Sequence, residues 1–191
     1  MMAKLEELTA ADVILRILDQ VGTSVNSTKL VKLTYLVDYL HYQYYGSTLT
    51  GFQYMWDHYG PNALGHGIIS EARKLARQGL VAIDSYPNIY GGDSLDFMVA
   101  QGVQVKPLPP HAEMLVEDVV SQYSSLSLEQ ITEVSKQTQP FRSAAQYSLL
   151  VMEQSAPAGT TTESDWDAYQ QDLEENGSLS LEEVKRRYEI E

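Results

Sequence analysis

The residues best suited to chemistry lie on one segment, from Asn26 to Gly46, where Asp38 and His41 stand three apart. On a helix that spacing makes them neighbours on one face, together with Thr34 and Tyr45. A carboxylate beside an imidazole could act as a general-base pair. It could also be half of a metal site, with Asp57 or His58 as a third ligand. Catalysis further needs a nucleophile or a bound water, and the surrounding residues offer neither. No H-E-x-x-H spacing occurs. The reading we favour is a buried, satisfied Asp–His anchor that joins helix to strand. Cysteine is absent, which excludes disulfides, thiolate metal sites and Cys nucleophiles. Phosphate-loop, dinucleotide and nucleophile-elbow patterns are missing too, and Gly65-His66-Gly67 is too short to cradle phosphate. The expectation is a protein without catalytic residues, metal or cofactor.

Two other clusters point to binding. Seven of the thirteen tyrosines fall between Tyr35 and Gly60, with Phe52, Trp56 and two histidines among them. Tyrosine and tryptophan give large amphipathic contact area, which suits recognition, although the same residues can build an aromatic core. Arg73, Lys74 and Arg77 then face a single acid, Glu71, in a predicted helix over 62–78. A glycine-rich hairpin follows it. That order suits a winged helix with this segment in the recognition position and these three residues as DNA contacts. Basic residues near a helix C-terminus also simply complement its dipole.

The elements that must position these groups are legible from spacing. Thr9-Ala-Ala-Asp12 opens a helix with Val13, Ile14, Ile17, Leu18 and Val21 on one face, and Gly22 ends it. Asn26-Ser27-Thr28 opens a second helix to about Tyr45, stopped by Gly46, with an inner stripe of Leu30, Leu33, Val37, Leu40 and Tyr44. Residues 52–57 read as a strand and Tyr59-Gly60-Pro61 as a turn. Gly65 and Gly67 weaken the start of the third helix and could mark a close backbone approach. Segments 81–83, 95–99 and 103–105 suggest a hairpin or small antiparallel sheet. Pro109-Pro110 begins a fourth helix, Ser127-Leu-Glu-Gln130 caps a fifth, and a short helix spans Phe141–Met152. The fold class expected is α+β, mostly helical.

The formal net charge is −13, and it is uneven. Residues 1–105 carry 7 Lys/Arg against 10 Asp/Glu, whereas residues 106–191 carry 6 against 16. So acidic a chain disfavours nucleic acid as a partner and favours a basic protein surface. No apolar run approaches the roughly 20 residues that span a bilayer, and the opening MMAKLEELTAADVILRIL lacks a signal-peptide pattern. A cytoplasmic protein is expected.

From Lys29 the sequence reads Lys-x-x-Lys-Leu-x-Tyr-Leu-x-Asp-x-x-His, then Tyr45-Gly46, Thr50-Gly51, Tyr54, Trp56 and Gly60-Pro61. This pattern resembles the signature of the Panacea domain, also described as SocA-like or phage-associated. Lys29, Lys32, Leu33, Tyr35, Leu36, Asp38, His41, Tyr45, Gly46, Gly60 and Pro61 carry the likeness. The resemblance implies a compact, mostly helical domain over residues 1–152 that serves as the antitoxin of a toxin–antitoxin pair. Members neutralise diverse toxins by direct binding, and a SocA-type member acts as a proteolytic adaptor.

Residues 153–163 are small, polar and proline-containing, as a linker would be. Beyond them an acidic tail, 164–191, sets Trp166, Tyr169, Leu173, Leu181, Val184 and Tyr188 at helical spacing. Folding on a partner would bury these six and lay acidic faces against a basic toxin.

Overall fold

The structure, a computed structural model, describes residues 8–88 and 92–152. The expected linker and the acidic tail, with its six apolar residues from Trp166 to Tyr188, lie outside the described residues. The elements run α1 (Ala10–Val21), β1 (Val25–Asn26), α2 (Ser27–Tyr45), β2 (Tyr54–Met55), β3 (Asn62–Ala63) and a 3-10 turn (Leu64–His66). They continue with α3 (Gly67–Arg77), β4 (Val81–Pro87), β5 (Asp93–Val99), α4 (Pro110–Tyr123), α5 (Leu128–Lys136) and α6 (Gln139–Ser143). The described chain is thus α+β and mostly helical.

Local chemistry sets the helix ends. Thr9 and Asp12 form a reciprocal capping box at α1, as Ser127 and Gln130 do at α5. Asn26 caps α2 through a 2.9 Å bond from the Thr28 N–H, and Gly46 ends it at φ +74°, a left-handed conformation that glycine adopts without penalty. Pro110 stands in the first turn of α4.

The expected single stripe of α2 proves too narrow. Every residue from Leu30 to His41 is buried, because α1, α3, α4 and α5 surround the helix. A central helix is covered on all sides, so its polar residues Lys32, Thr34, Asp38 and His41 must be satisfied internally. The bundle around it is tied by Glu113 of α4, which accepts from Arg16 and Gln20 of α1 and from the Leu108 N–H.

β4 and β5 pair antiparallel from Val81↔Val99 to Pro87↔Asp93, and β1 adds to β5, giving the order β1-β5-β4. Val103–Val105, expected as a further strand, is not one. α1, β1, α2, α3, β4 and β5 follow one another in winged-helix order, with β2 and β3 as a small antiparallel insertion.

Two further boundaries differ from expectation. The third helix starts at Gly67 instead of 62, because Gly65 and His66 take left-handed conformations at φ +63° and +56°. A Cβ on Gly67 would stand 2.9 Å from the Phe52 ring, so the close approach is made by a side chain and not by backbone. The last expected helix, 141–152, is cut to α6, whose N-terminal proline fits a first turn. Beyond it Leu149 bridges Met55 of β2.

Candidate binding groove

Around α2 the residues of the Lys29–Pro61 pattern make a set of specific ties. Lys29 donates to the Ser124 carbonyl at the end of α4 (3.0 Å), and Lys32 to the Pro61 carbonyl (2.7 Å). The Tyr35 and Thr138 hydroxyls meet at 2.5 Å, and the Tyr35 ring stands edge-on to Tyr54 with centroids 5.0 Å apart. Trp56 stacks on Phe141 at 5.4 Å. Gly60, at φ +90°, leaves room for the clamp: a Cβ there would lie 3.1 Å from Ser135 Oγ and 3.2 Å from Lys32 Nζ.

Asp38 is fully buried and gathers the loop between α2 and β2. It accepts from the Thr50 N–H (2.8 Å), the Thr50 hydroxyl (2.5 Å) and the Tyr54 hydroxyl (2.6 Å). Burial pushes its carboxyl up to about 6, against the pull of those three donors and of the Leu49 backbone. His41 is tied to a different point of the same loop, 2.6 Å from the Ser47 carbonyl. A carbonyl only accepts, so Nδ1 carries the proton, and burial lowers the tendency of the ring to take a second one. Each side chain therefore holds loop to helix. Among the described residues no three His, Cys, Asp or Glu side chains converge as a metal would require.

Lys32 is the unusual charge. It lies in the core at 3% exposure, and burial lowers its ammonium to about 8, with the Asp57 carboxylate opposing that shift. Its folded value lies below its unfolded one. It therefore contributes stability that is present above the ordinary lysine range and lost as pH falls through about 8. The stability of the native sequence is expected to rise by about 2 kcal/mol between pH 8 and pH 10 relative to Lys32→Met. Urea unfolding of both proteins at fixed ionic strength checks this. A constant difference between them would contradict the buried-ammonium account.

Above Lys32 opens a groove of about 520 Å³. Its walls are the start of α2, the β2–β3 turn with Asp57 and Tyr59, His66 and Ile69 at the start of α3, and Leu128, Glu129, Thr132 and Glu133 of α5. Tyr59 is 73% exposed and Leu128 43% exposed, so two large apolar groups stand in solvent beside three carboxylates. The other tyrosines of the 35–60 cluster divide differently: Tyr35, Tyr39 and Tyr54 are core. Neither the Asp38–His41 spacing nor the basic helix pointed to this groove. Its two sides lie about seventy residues apart in sequence. The available signal was the pair Glu129 and Glu133, four apart, directly behind the Ser127 cap.

Arg73, Lys74 and Arg77 are exposed along one face of α3, with Lys74 paired to Glu71 at 2.8 Å. The neighbouring hairpin carries Asp84, Asp93 and Asp96, the last accepting from Ser24, Asn26 and Tyr86.

The family description "Antitoxin SocA-like, Panacea domain" matches residues 30–141, from the second turn of α2 into α6. The chain belongs to the SocA-like Panacea family. No curated protein and no solved structure matches it. The Panacea match takes in the clamp of Lys32, Gly60 and Pro61, the Asp38 anchor and both sides of the groove. It stops short of the tail. No helix among the described residues is long and apolar enough to cross a membrane.

Proposed function

We propose that this Panacea domain is an antitoxin that neutralises a cognate toxin by direct, stoichiometric protein–protein contact, without catalysis, in the cytoplasm. The observation that carries the proposal is the groove, where exposed Tyr59 and Leu128 stand among Asp57, Glu129 and Glu133 over the family residues Lys32, Gly60 and Pro61. An exposed aromatic beside apolar and acidic groups suits a basic partner surface. The aromatic supplies contact area, and the carboxylates steer and orient. The tail, Ser164–Glu191, is the second proposed contact, through Trp166, Tyr169, Leu173, Leu181, Val184 and Tyr188, with residues 153–163 as its linker.

Co-purification tests this. The product of the adjacent gene, co-expressed with the tagged chain, is expected to elute with it at fixed stoichiometry, and removal of residues 160–191 to weaken the complex at least about tenfold. No co-elution removes the proposal, and undiminished binding by the shortened chain removes the tail from it. Handing the toxin to a protease instead of blocking it would remain within the same binding class.

A second reading has winged-helix order and the face of Arg73, Lys74 and Arg77 in its favour, and the acidic β4–β5 hairpin against it. A gel shift on the chain's own promoter across a salt series separates the two, since phosphate contacts weaken steeply with salt.

A further inference from the structure

Lys32 carries a buried charge that has no ion pair among the described residues. It lies at the base of the groove of about 520 Å³ and is 3% exposed. An ammonium offers three N–H donors, and among the described residues the Pro61 carbonyl alone accepts from it, at 2.7 Å. Carboxylates stand near without bonding to it. Asp57 of the β2–β3 turn attracts it through space, while the Asp57 side chain accepts from the Tyr59 N–H at 2.9 Å. Glu133 of α5 pairs with Lys136, whose own positive charge opposes that of Lys32. Glu129 of α5, Tyr59 and His66 at the start of α3 are the other titratable groups that line the groove.

A partner seated on the groove changes this balance. It excludes the solvent around Lys32, and a buried charge is tolerated only when it is paired and hydrogen-bonded. Covering Lys32 with apolar side chains makes the cost of its charge larger. Covering it with the lysines and arginines that suit Glu129 and Glu133 does so again, through like-charge repulsion. A neutral acceptor fills a donor but leaves the charge unmatched. A carboxylate does both. The groove therefore asks two things of one ligand: cations for its walls and an anion for its base.

We propose that the groove takes a basic segment of the partner in which one Asp or Glu side chain, flanked by Lys or Arg, docks on Lys32 while its neighbours meet Glu129 and Glu133. This rests on the groove being the toxin contact, and it adds the chemistry of the segment that enters. The flanking cations shield the incoming carboxylate from Asp57, Glu129 and Glu133. A wholly acidic segment is repelled by those three, and a wholly basic one leaves Lys32 unmatched. Requiring both signs in one short stretch discriminates among basic proteins, which a uniformly acidic groove would not do.

The sign of the proton exchange on binding reads the docked group. In the free protein burial lowers the Lys32 ammonium to about 8, so at pH 8.5 it is mostly neutral. A docked carboxylate raises it again, and binding takes up about 0.6 proton per complex. A cover without a counter-charge lowers it further, and binding releases the protons that remain. Calorimetry of the full chain with the adjacent-gene product at pH 8.5, in two buffers of different ionisation enthalpy, counts them. Lys32→Arg stays charged at this pH and should bind without the uptake, which assigns the proton to Lys32. NMR of the lysine-labelled native chain follows the same group without substitution, and its midpoint should rise from about 8 to above about 9 in the complex. A complex that forms with proton release, with no exchange, or with uptake that persists in Lys32→Arg would overturn this proposal alone. Absence of any complex would instead remove the antitoxin reading, and this proposal with it.

Discussion

Asp38→Ala is expected to destabilise the chain by about 2–4 kcal/mol, lowering the melting temperature by roughly 5–15 °C. The substitution removes the acceptor of three donors at once, two from Thr50 and one from the Tyr54 hydroxyl. Asp38 and the Tyr54 hydroxyl are buried and Thr50 is half-buried, so water replaces the carboxylate only in part. Relief of the buried charge offsets only part of the loss. Asp38→Asn is expected to lose about half as much. Its carbonyl keeps the Thr50 N–H, and the Thr50 and Tyr54 hydroxyls can turn to accept from its amide. The pH dependence distinguishes the variants further. The folded pKa of Asp38, about 6, lies above the ordinary carboxylate value. It therefore contributes stability that is present at acid pH and lost as pH rises through about 6. Both variants should lack that component. Thermal melts of the three proteins from pH 4 to 7 measure it, and a native-like melt for Asp38→Ala would contradict the anchor role.

The second large effect is expected on binding and not on folding. Tyr59→Ala combined with Glu133→Lys should weaken toxin capture about 30-fold or more while stability changes by less than about 1 kcal/mol. Tyr59 is largely in solvent, and only its backbone N–H bonds to Asp57, which alanine preserves. Glu133 is exposed, and its side chain pairs with half-buried Lys136 at 3.3 Å, a contact of small energetic weight. Reversing its charge lowers the attraction of the groove for a basic surface and should slow association most at low salt. Titration calorimetry at two ionic strengths gives both quantities. Unchanged affinity would move the contact away from this groove.

The parts of the fold that could be read in advance are those fixed by local chemistry. Thr9 with Asp12, Asn26, Gly46 and Ser127 with Gln130 announce helix ends because a side chain or a left-handed glycine satisfies the backbone there. The family, too, was legible from Lys29 to Pro61, because its residues are closely spaced. Features that depend on tertiary partners were harder. The stripe written for α2 missed that four helices surround it. Asp38 and His41 looked like one chemical unit from their spacing, yet each bonds to its own part of the 47–54 loop. The groove could not be assembled beforehand, because Asp57 and Glu133 meet only when α5 packs on α2. The stretch after α6 looked helical from composition, but its alternation of exposed Leu149 and buried Leu150 has the period of a strand.

The central claim is neutralisation by contact, and growth on co-expression tests it most directly. The product of the adjacent gene would be expressed alone, with this chain, and with the Tyr59→Ala, Glu133→Lys variant. Growth arrest alone, full growth with the native chain, and arrest restored with the variant are the expected results. A neighbour that is harmless by itself, or that arrests growth equally with and without this chain, would contradict the antitoxin account.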